Sequence, residues 1–299
     1  MNDLRKYLYT CLLATAALLV GASPAWAQVS LGTAAAFSVL GTPVTTTGSH
    51  ITGDVGSAGA VTLTTSHIAG NVVYTTVLTR TPPSTISGTS THPLPSQVVA
   101  DFNTAYSAAL SEHCDTTLPS TIAGPLTLLP GVYCTGAALT GAGVLTLDAG
   151  GNANAVWIFQ IGAALTGTGF SVVMTNGGQP CNVFWAPGAG VTMTTSAFSG
   201  NILAGGGTGA ITLTGGTLAG RALASGAVTM TGANVIGCAA LPSPPPSCKG
   251  KDCDENGKGP GKCKDGKDDD GGHEWGSNWP MGGSSKGDKG KGGKGGNSW

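Results

Sequence analysis

The chain has 299 residues, of which 10% are charged, and its 14 Lys and Arg against 15 Asp and Glu leave a net charge of −1. The balance hides an asymmetry: between Gln28 and Leu241 the cationic side chains are Arg80 and Arg221, set against Asp54, Asp101, Glu112, Asp115 and Asp148. A body so poor in cations cannot neutralise many phosphates, which excludes nucleic acid as a partner for it.

At the N-terminus, Arg5 and Lys6 precede the apolar run Leu12 to Val20, and Ala25-Trp26-Ala27 places small residues at a cleavage position. Residues 1–27 therefore read as a secretory signal peptide, with a mature chain starting near Gln28 and a secreted or extracytoplasmic, cell-surface location. No later stretch approaches the roughly 20 apolar residues of a transmembrane helix, so no such segment is expected in the mature chain.

A four-residue phrase then begins to recur. It stands at Val44-Thr45-Thr46-Thr47 and Val61-Thr62-Leu63-Thr64, and returns at Val191-Thr192-Met193-Thr194, Ile211-Thr212-Leu213-Thr214 and Val228-Thr229-Met230-Thr231. Every copy has an apolar residue seven positions after its first residue and Gly nine after it: Ile51 and Gly53, Ile68 and Gly70, Phe198 and Gly200, Leu218 and Gly220, Val235 and Gly237. Successive starts lie about 17 to 20 residues apart, a period that suits solenoid coils better than helical-hairpin repeats. Alternation within the phrase sends the apolar residues to one side of a strand and the Thr to the other. Gly at the ninth position turns a corner or lets backbones approach closely.

Between the early and late copies, Val98, Phe102, Ala105, Tyr106 and Ala109 recur at helical spacing after Pro95, predicting a helix over 97–112 capped by Ser96. Looser copies follow at Leu139-Thr140-Gly141-Ala142 and Leu165-Thr166-Gly167-Thr168. Val156-Trp157-Ile158-Phe159 and Val183-Phe184-Trp185 are apolar on both sides, which demands an outer cover. The helix is expected to provide it, with Leu203 and Leu223 also beneath it.

Cys114, Cys134, Cys181 and Cys238 lie in the body and Cys248, Cys253 and Cys263 in the tail. Export makes disulfides expected, with connectivity open and an odd thiol left over. Zinc fits poorly, since the tail spacings are irregular and only His273 is near them. From Pro242 the composition shifts to a Pro-rich linker and a Gly, Lys and Asp-rich tail, so 242–299 reads as disordered. Asp268-Asp269-Asp270 lacks the spaced ligands of a calcium loop and reads as a solvated charge run.

The stretches "LGTAAAFSVLG", "ITGDVG", "LLPGVYCTGAAL", "AVWIFQIG", "CNVFWAPG", "GNILA" and "GRALA" resemble, in order, the secreted microbial ice-binding-protein family over roughly residues 30–238. The resemblance implies a mostly β fold, a right-handed β-solenoid of triangular section with one long α-helix packed along a face. It also implies, in several members, a flat face rich in Thr, Ser and Ala that adsorbs to ice. Residues 28–241 are then the solenoid domain.

Outward Thr at two positions per coil offers ice or ordered water a grid of hydroxyls and methyls. The residues of that face are Thr45, Thr47, Thr62, Thr64, Thr166, Thr168, Thr192, Thr194, Thr212, Thr214, Thr229 and Thr231. Antifreeze action, with inhibition of ice recrystallisation, is the expected function, and no cofactor is called for. Thr is also a favoured strand residue, which is the plain alternative reading of the same pattern.

Catalysis is not expected, because the body's acids show no recognisable pair and no His-Asp arrangement accompanies a nucleophile. Asp54 and Asp148 read as turn or cap residues. His50 and His67 occupy one repeat position in successive copies, a placement that could share a metal ion, but two exposed polar residues at a coil edge are the expected reading. The rival function is a secreted structural or adhesive module, its tail attached to cell envelope or extracellular polysaccharide.

Overall fold

The computed structural model describes residues 29–207 and 209–238, so the expected signal at 1–27 and the linker and tail at 242–299, with three cysteines and the acidic run, lie outside the described residues. Within that span the strand alternation builds a mostly β solenoid with three faces. Nine parallel strands carrying the Thr phrase or its remnants form the first face. In stacking order they begin at Thr121, Leu139, Leu165, Val191, Ile211, Val228, Val44, Val61 and Leu78.

The other two faces count as one 17-stranded sheet, because Ala197–Ala204 and Thr217–Ala224 run unbroken from the second face to the third. They bend at Gly200 and Gly220, whose φ values of 124° and 146° are open to Gly alone. A Cβ at Gly220 would collide with the Gly200 carbonyl of the coil below. At Gly220 the glycine nine positions into the phrase is thus both the corner and a point of close backbone approach.

Chain order is not stacking order. The strand Val228–Thr231 pairs with Val44–Thr47, so the N-terminal coils sit beyond the last C-terminal one. Helix α1 (Ser96–Ser111) lies between the end coil of the first run and the opening coil of the second. Its 16 residues span about 24 Å, or five strand spacings of about 4.8 Å. It begins one residue earlier than the periodicity predicts, and Ser96 is not its cap. Pro95 takes the N-cap position without a side-chain bond, and the first turn closes through Val98 N–H to the Pro95 carbonyl at 3.1 Å.

Two apolar clusters result. Inside the coils, Leu139, Leu165, Val191, Ile211, Val228, Val44 and Val61 stack in register, none more than 2% exposed. Tyr133, Phe159 and Trp185 form a second inward ladder, with the Phe159 and Trp185 rings 3.8 Å apart and 7° from parallel. Outside, Val98, Phe102, Ala105, Tyr106 and Ala109 of α1 cover Val132, Ile158, Phe184, Leu203 and Leu223. The two-sided apolar strands therefore feed both clusters: Trp157, Phe159 and Trp185 point in, while Ile158 and Phe184 point out beneath the helix.

Polar contacts fix the helix along that face. Tyr106 donates its hydroxyl to the Pro187 carbonyl at 3.0 Å, and Gln160 donates its amide to the Ala109 and Glu112 carbonyls at 3.0 and 2.7 Å. Gln160 thereby satisfies carbonyls that the helix end leaves without partners. Near the other end, Asp101 accepts bonds from the Thr33 hydroxyl and N–H, both at 2.7 Å, and from Gln97, and these hold its carboxyl below the ordinary value. Disulfides join Cys114 to Cys134 and Cys181 to Cys238. The latter closes 57 residues, a constraint of about 4 kcal/mol in the chain-entropy picture.

One inward position breaks the apolar rule. Thr46 aligns with Leu63 and Met230, is 0% exposed, and its hydroxyl has no hydrogen-bond partner. A buried hydroxyl without a partner costs about 1–3 kcal/mol. Thr46→Val is expected to stabilise the fold by about 1 kcal/mol, raising the melting temperature by about 2–4 °C; a lower melting temperature in a thermal scan would contradict this reading.

Candidate functional site: a two-row threonine face

Parallel pairing places residue i of one coil over its equivalent in the next. On the first face this brings Thr121, Thr140, Thr166, Thr192, Thr212, Thr229, Thr45, Thr62 and Thr79 into one unbroken row. Two positions along each strand, Thr168, Thr194, Thr214, Thr231, Thr47, Thr64 and Thr81 form a second. All twelve threonines expected from the phrase are on this sheet, six in each row. Neighbours within a row stand about 4.8 Å apart and the rows about 6.6 Å apart, so the longer row extends for roughly 38 Å.

Four members escape the phrase. Thr140 lies in a loose copy, and Thr121 in a strand of two residues. Thr79 and Thr81 keep the 17-residue offset from Thr62 and Thr64, but Arg80 occupies the inward slot that Leu63 fills one coil earlier. Leu78–Thr81 ends the sheet, so the slot faces no further coil and Arg80 is exposed. Spacing alone, without the demand for an apolar third residue, would have found both.

The loose copies have their own cause. Gly141 and Gly167 stand at the inward position that holds Met193, Leu213 and Met230 elsewhere. A Cβ at Gly141 would run into the ring of Phe170, which is 0% exposed, and one at Gly167 would meet the Met193 sulfur first, with Phe170 close behind. The inner residue changes while the outward Thr140, Thr166 and Thr168 keep their rows.

No other face is chemically uniform. The second carries one row of Val144, Ser171, Ala197, Thr217, Asn234, His50, His67 and Thr85, and the third is covered by α1. His50 and His67 stack with ring centroids 4.7 Å apart and planes 27° from parallel, and His67 Nδ1 lies 2.8 Å from the Thr85 hydroxyl. Near-parallel rings set their lone pairs alongside one another, unlike the converging donors of a chelate. Among the described residues no group of three His, Cys, Asp or Glu is placed to hold a metal. Asp54 accepts from the Asn71 N–H and side-chain amide, and Asp148 from the Gly150 N–H and the Asn176 amide. Both carboxylates clamp one coil to the next from strand ends, Asp54 opening Asp54–Ser57 and Asp148 closing Val144–Asp148, where the sequence reads them as turn or cap residues. Asp148 is held below its ordinary value, first by the Gly150 N–H and then by Asn176.

With this geometry the sequence matches the ice-binding-like family over residues 39–236. The chain belongs to that family. An ice-binding protein from Nostoc sp. (strain HG1) is 39% identical over 209 residues, covering 67% of this chain and 71% of its own. Among solved structures, the ice-binding protein from the Antarctic ascomycete Antarctomyces psychrotrophicus superposes with a TM-score of 0.59 at 31% identity, covering 70% of this chain and 97% of that one. A domain of ice-binding protein 1 from Shewanella frigidimarina gives 0.55 at 26%, covering 70% and 96%. The family match spans all three faces and the helix, so this member of the ice-binding-like family shares the whole solenoid with its relatives.

Restoring the phrase at a loose copy tests the packing beneath the face. Gly167→Leu is expected to destabilise the protein by about 1–3 kcal/mol, since the added side chain competes with Phe170 and Met193. Denaturant unfolding reads this directly, and an unchanged midpoint would show that the inner slot has room.

Proposed function

We propose that this protein adsorbs to ice through the two-row threonine face. The observation that carries the proposal is the unbroken register of nine threonines beside seven, with no charged side chain in either row. Each Thr offers water a methyl and a hydroxyl at fixed separation. Methyls hold first-layer water in cages, and hydroxyls anchor it until the ordered layer merges with an ice plane. Rigidity serves this directly: Thr is stiff at χ1, and a surface already in its bound form loses little entropy on binding. A charge in the grid would orient water radially and break the layer.

Inhibition of ice growth and of recrystallisation follows from such adsorption. The relatives named as ice-binding proteins support this reading. The N-terminal 1–27 segment is read as the export signal, 28–241 as the ice-binding domain, and 242–299 as a linker and tail suited to attachment at a cell envelope or polysaccharide.

Thr192, Thr212 and Thr229 are consecutive in the long row, so a bulky substitution there intrudes at the centre of the face. Thr212→Tyr, at a half-buried outward position, is expected to abolish thermal hysteresis while shifting stability by no more than about 0.5 kcal/mol, as surface substitutions away from packed features do. Thr79→Tyr, at the row's end, should lose much less. Full hysteresis in Thr192→Tyr, Thr212→Tyr and Thr229→Tyr alike would remove this face as the ice-binding surface.

A further inference from the structure

The corner that follows the second threonine row has a conformational requirement that two coils meet in an expensive way. The residue after six of the seven second-row Thr is left-handed: Gly169 at φ 58°, Gly215 at 60°, Gly232 at 61° and Gly48 at 59°, but Thr195 at 47° and Thr65 at 49°; Pro82 follows Thr81 at the end of the sheet. Hydrogen bonds from five of these corner N–H groups to the second-row carbonyl of the next coil align all six into one stack. Gly adopts that region freely, whereas a β-branched residue there is a true outlier. Four coils show what the corner would use if only the turn mattered.

Both exceptions are clamped from behind. Ser66 and Ser196, the next residues, are at most 3% exposed. The Ser66 hydroxyl donates to the Thr64 carbonyl and accepts from the Ser49 N–H, and that of Ser196 donates to the Thr194 carbonyl and accepts from the Phe170 N–H. Buried serines thus pin both corners, as Ser49 pins the Gly48 corner by donating to the Thr47 carbonyl and accepting from the Ala233 N–H, so glycine and threonine corners share one turn and differ in the side chain held there. Thr65 and Thr195 are themselves exposed. Each leans over the bare glycine of the adjacent coil: the Thr65 hydroxyl oxygen is 3.8 Å from where a Cβ on Gly48 would stand, and the Thr195 methyl 3.5 Å from that of Gly215.

Strain held by surrounding structure at an exposed position points to a task for the side chain. We propose that Thr65 and Thr195 are ice-contacting residues, a partial third row that carries the water-ordering lattice around the corner of the face. The proposal rests on the adsorption reading above. Stacked between them are Gly215, Gly232 and Gly48, so the two lie four strand spacings, about 19 Å, apart and act as separate posts beside the second row. Each supplies the same methyl and hydroxyl pair as the rows, where the glycine corners leave only backbone.

The test is the full chain carrying Thr65→Gly and Thr195→Gly together, which converts both corners to the residue four others already use. Relief of strain should raise the melting temperature by about 2–4 °C per site, with circular dichroism unchanged, while thermal hysteresis falls to half or less. A purely structural role would raise stability and leave hysteresis at the wild-type level, which would overturn the proposal. A lowered melting temperature would overturn it as well, by removing the strain it starts from. Thr212→Tyr measured alongside keeps the two readings apart: if it abolishes hysteresis while the glycine pair does not, the face stands and the third row falls; if neither variant changes hysteresis, the face itself is wrong.

Discussion

Parallel register is the constraint on which the molecule depends. In a parallel ladder each residue sits over its equivalent in the next coil, and the period of two sends alternate residues to opposite sides. Once Val, Leu and Ile are stacked inward, the outward positions have no freedom left. They must form straight rows at the strand spacing, and whatever residue recurs there becomes a lattice. A slip of one residue in any coil would drive threonines into the core and apolar side chains into water. The apolar interior therefore dictates the alignment of the exterior, and the threonine face is a consequence of core packing as much as of its own chemistry.

The same constraint explains how the solenoid tolerates irregular contents. Coils differ in length, 17 residues between Thr45 and Thr62 but 26 between Thr166 and Thr192, and the excess is placed away from the first face. Phe170 fills the room that Gly141 leaves, and Phe170 and Met193 together fill that at Gly167. Helix α1, lying between the two runs of coils in sequence, covers the outward apolar residues of the third face. The N-terminal run is thereby free to extend the C-terminal one, and the long row passes from Thr229 to Thr45 without a gap. Repeated side-chain ladders suppress twist in a sheet of many strands, and the inward aliphatic and aromatic stacks are ladders of that kind.

Much of this was legible in the chain, because the dominant force is periodic burial. The alternation of apolar residues and threonines predicts strand orientation, the fixed glycine offset predicts the corner at Gly200 and Gly220, and the helical spacing of Val98 through Ala109 predicts the face that covers Ile158 and Phe184. Stacking order was not legible: the pairing of Val44–Thr47 with Val228–Thr231 is a contact across the whole chain with no local signal. Nor were the end coils, where the loss of a neighbour lets Arg80 occupy an inward slot and hides Thr79 and Thr81 from a search for the phrase. Disulfide pairing depended on which coils abut, and the left-handed threonines on a backbone angle that composition does not reveal. The Ser96 cap failed for a local reason, since the proline before it already holds the turn.

The function turns on the ordering of water by the threonine rows. A crystal structure of the protein at atomic resolution, with the threonine face free of lattice contacts, measures it most directly. Ordered waters repeating at the strand spacing in the trough between the two rows, each held by a hydroxyl and ringed by methyls, are the predicted result. Scattered or absent density over that trough, in a structure whose buried waters are well resolved, would contradict the account.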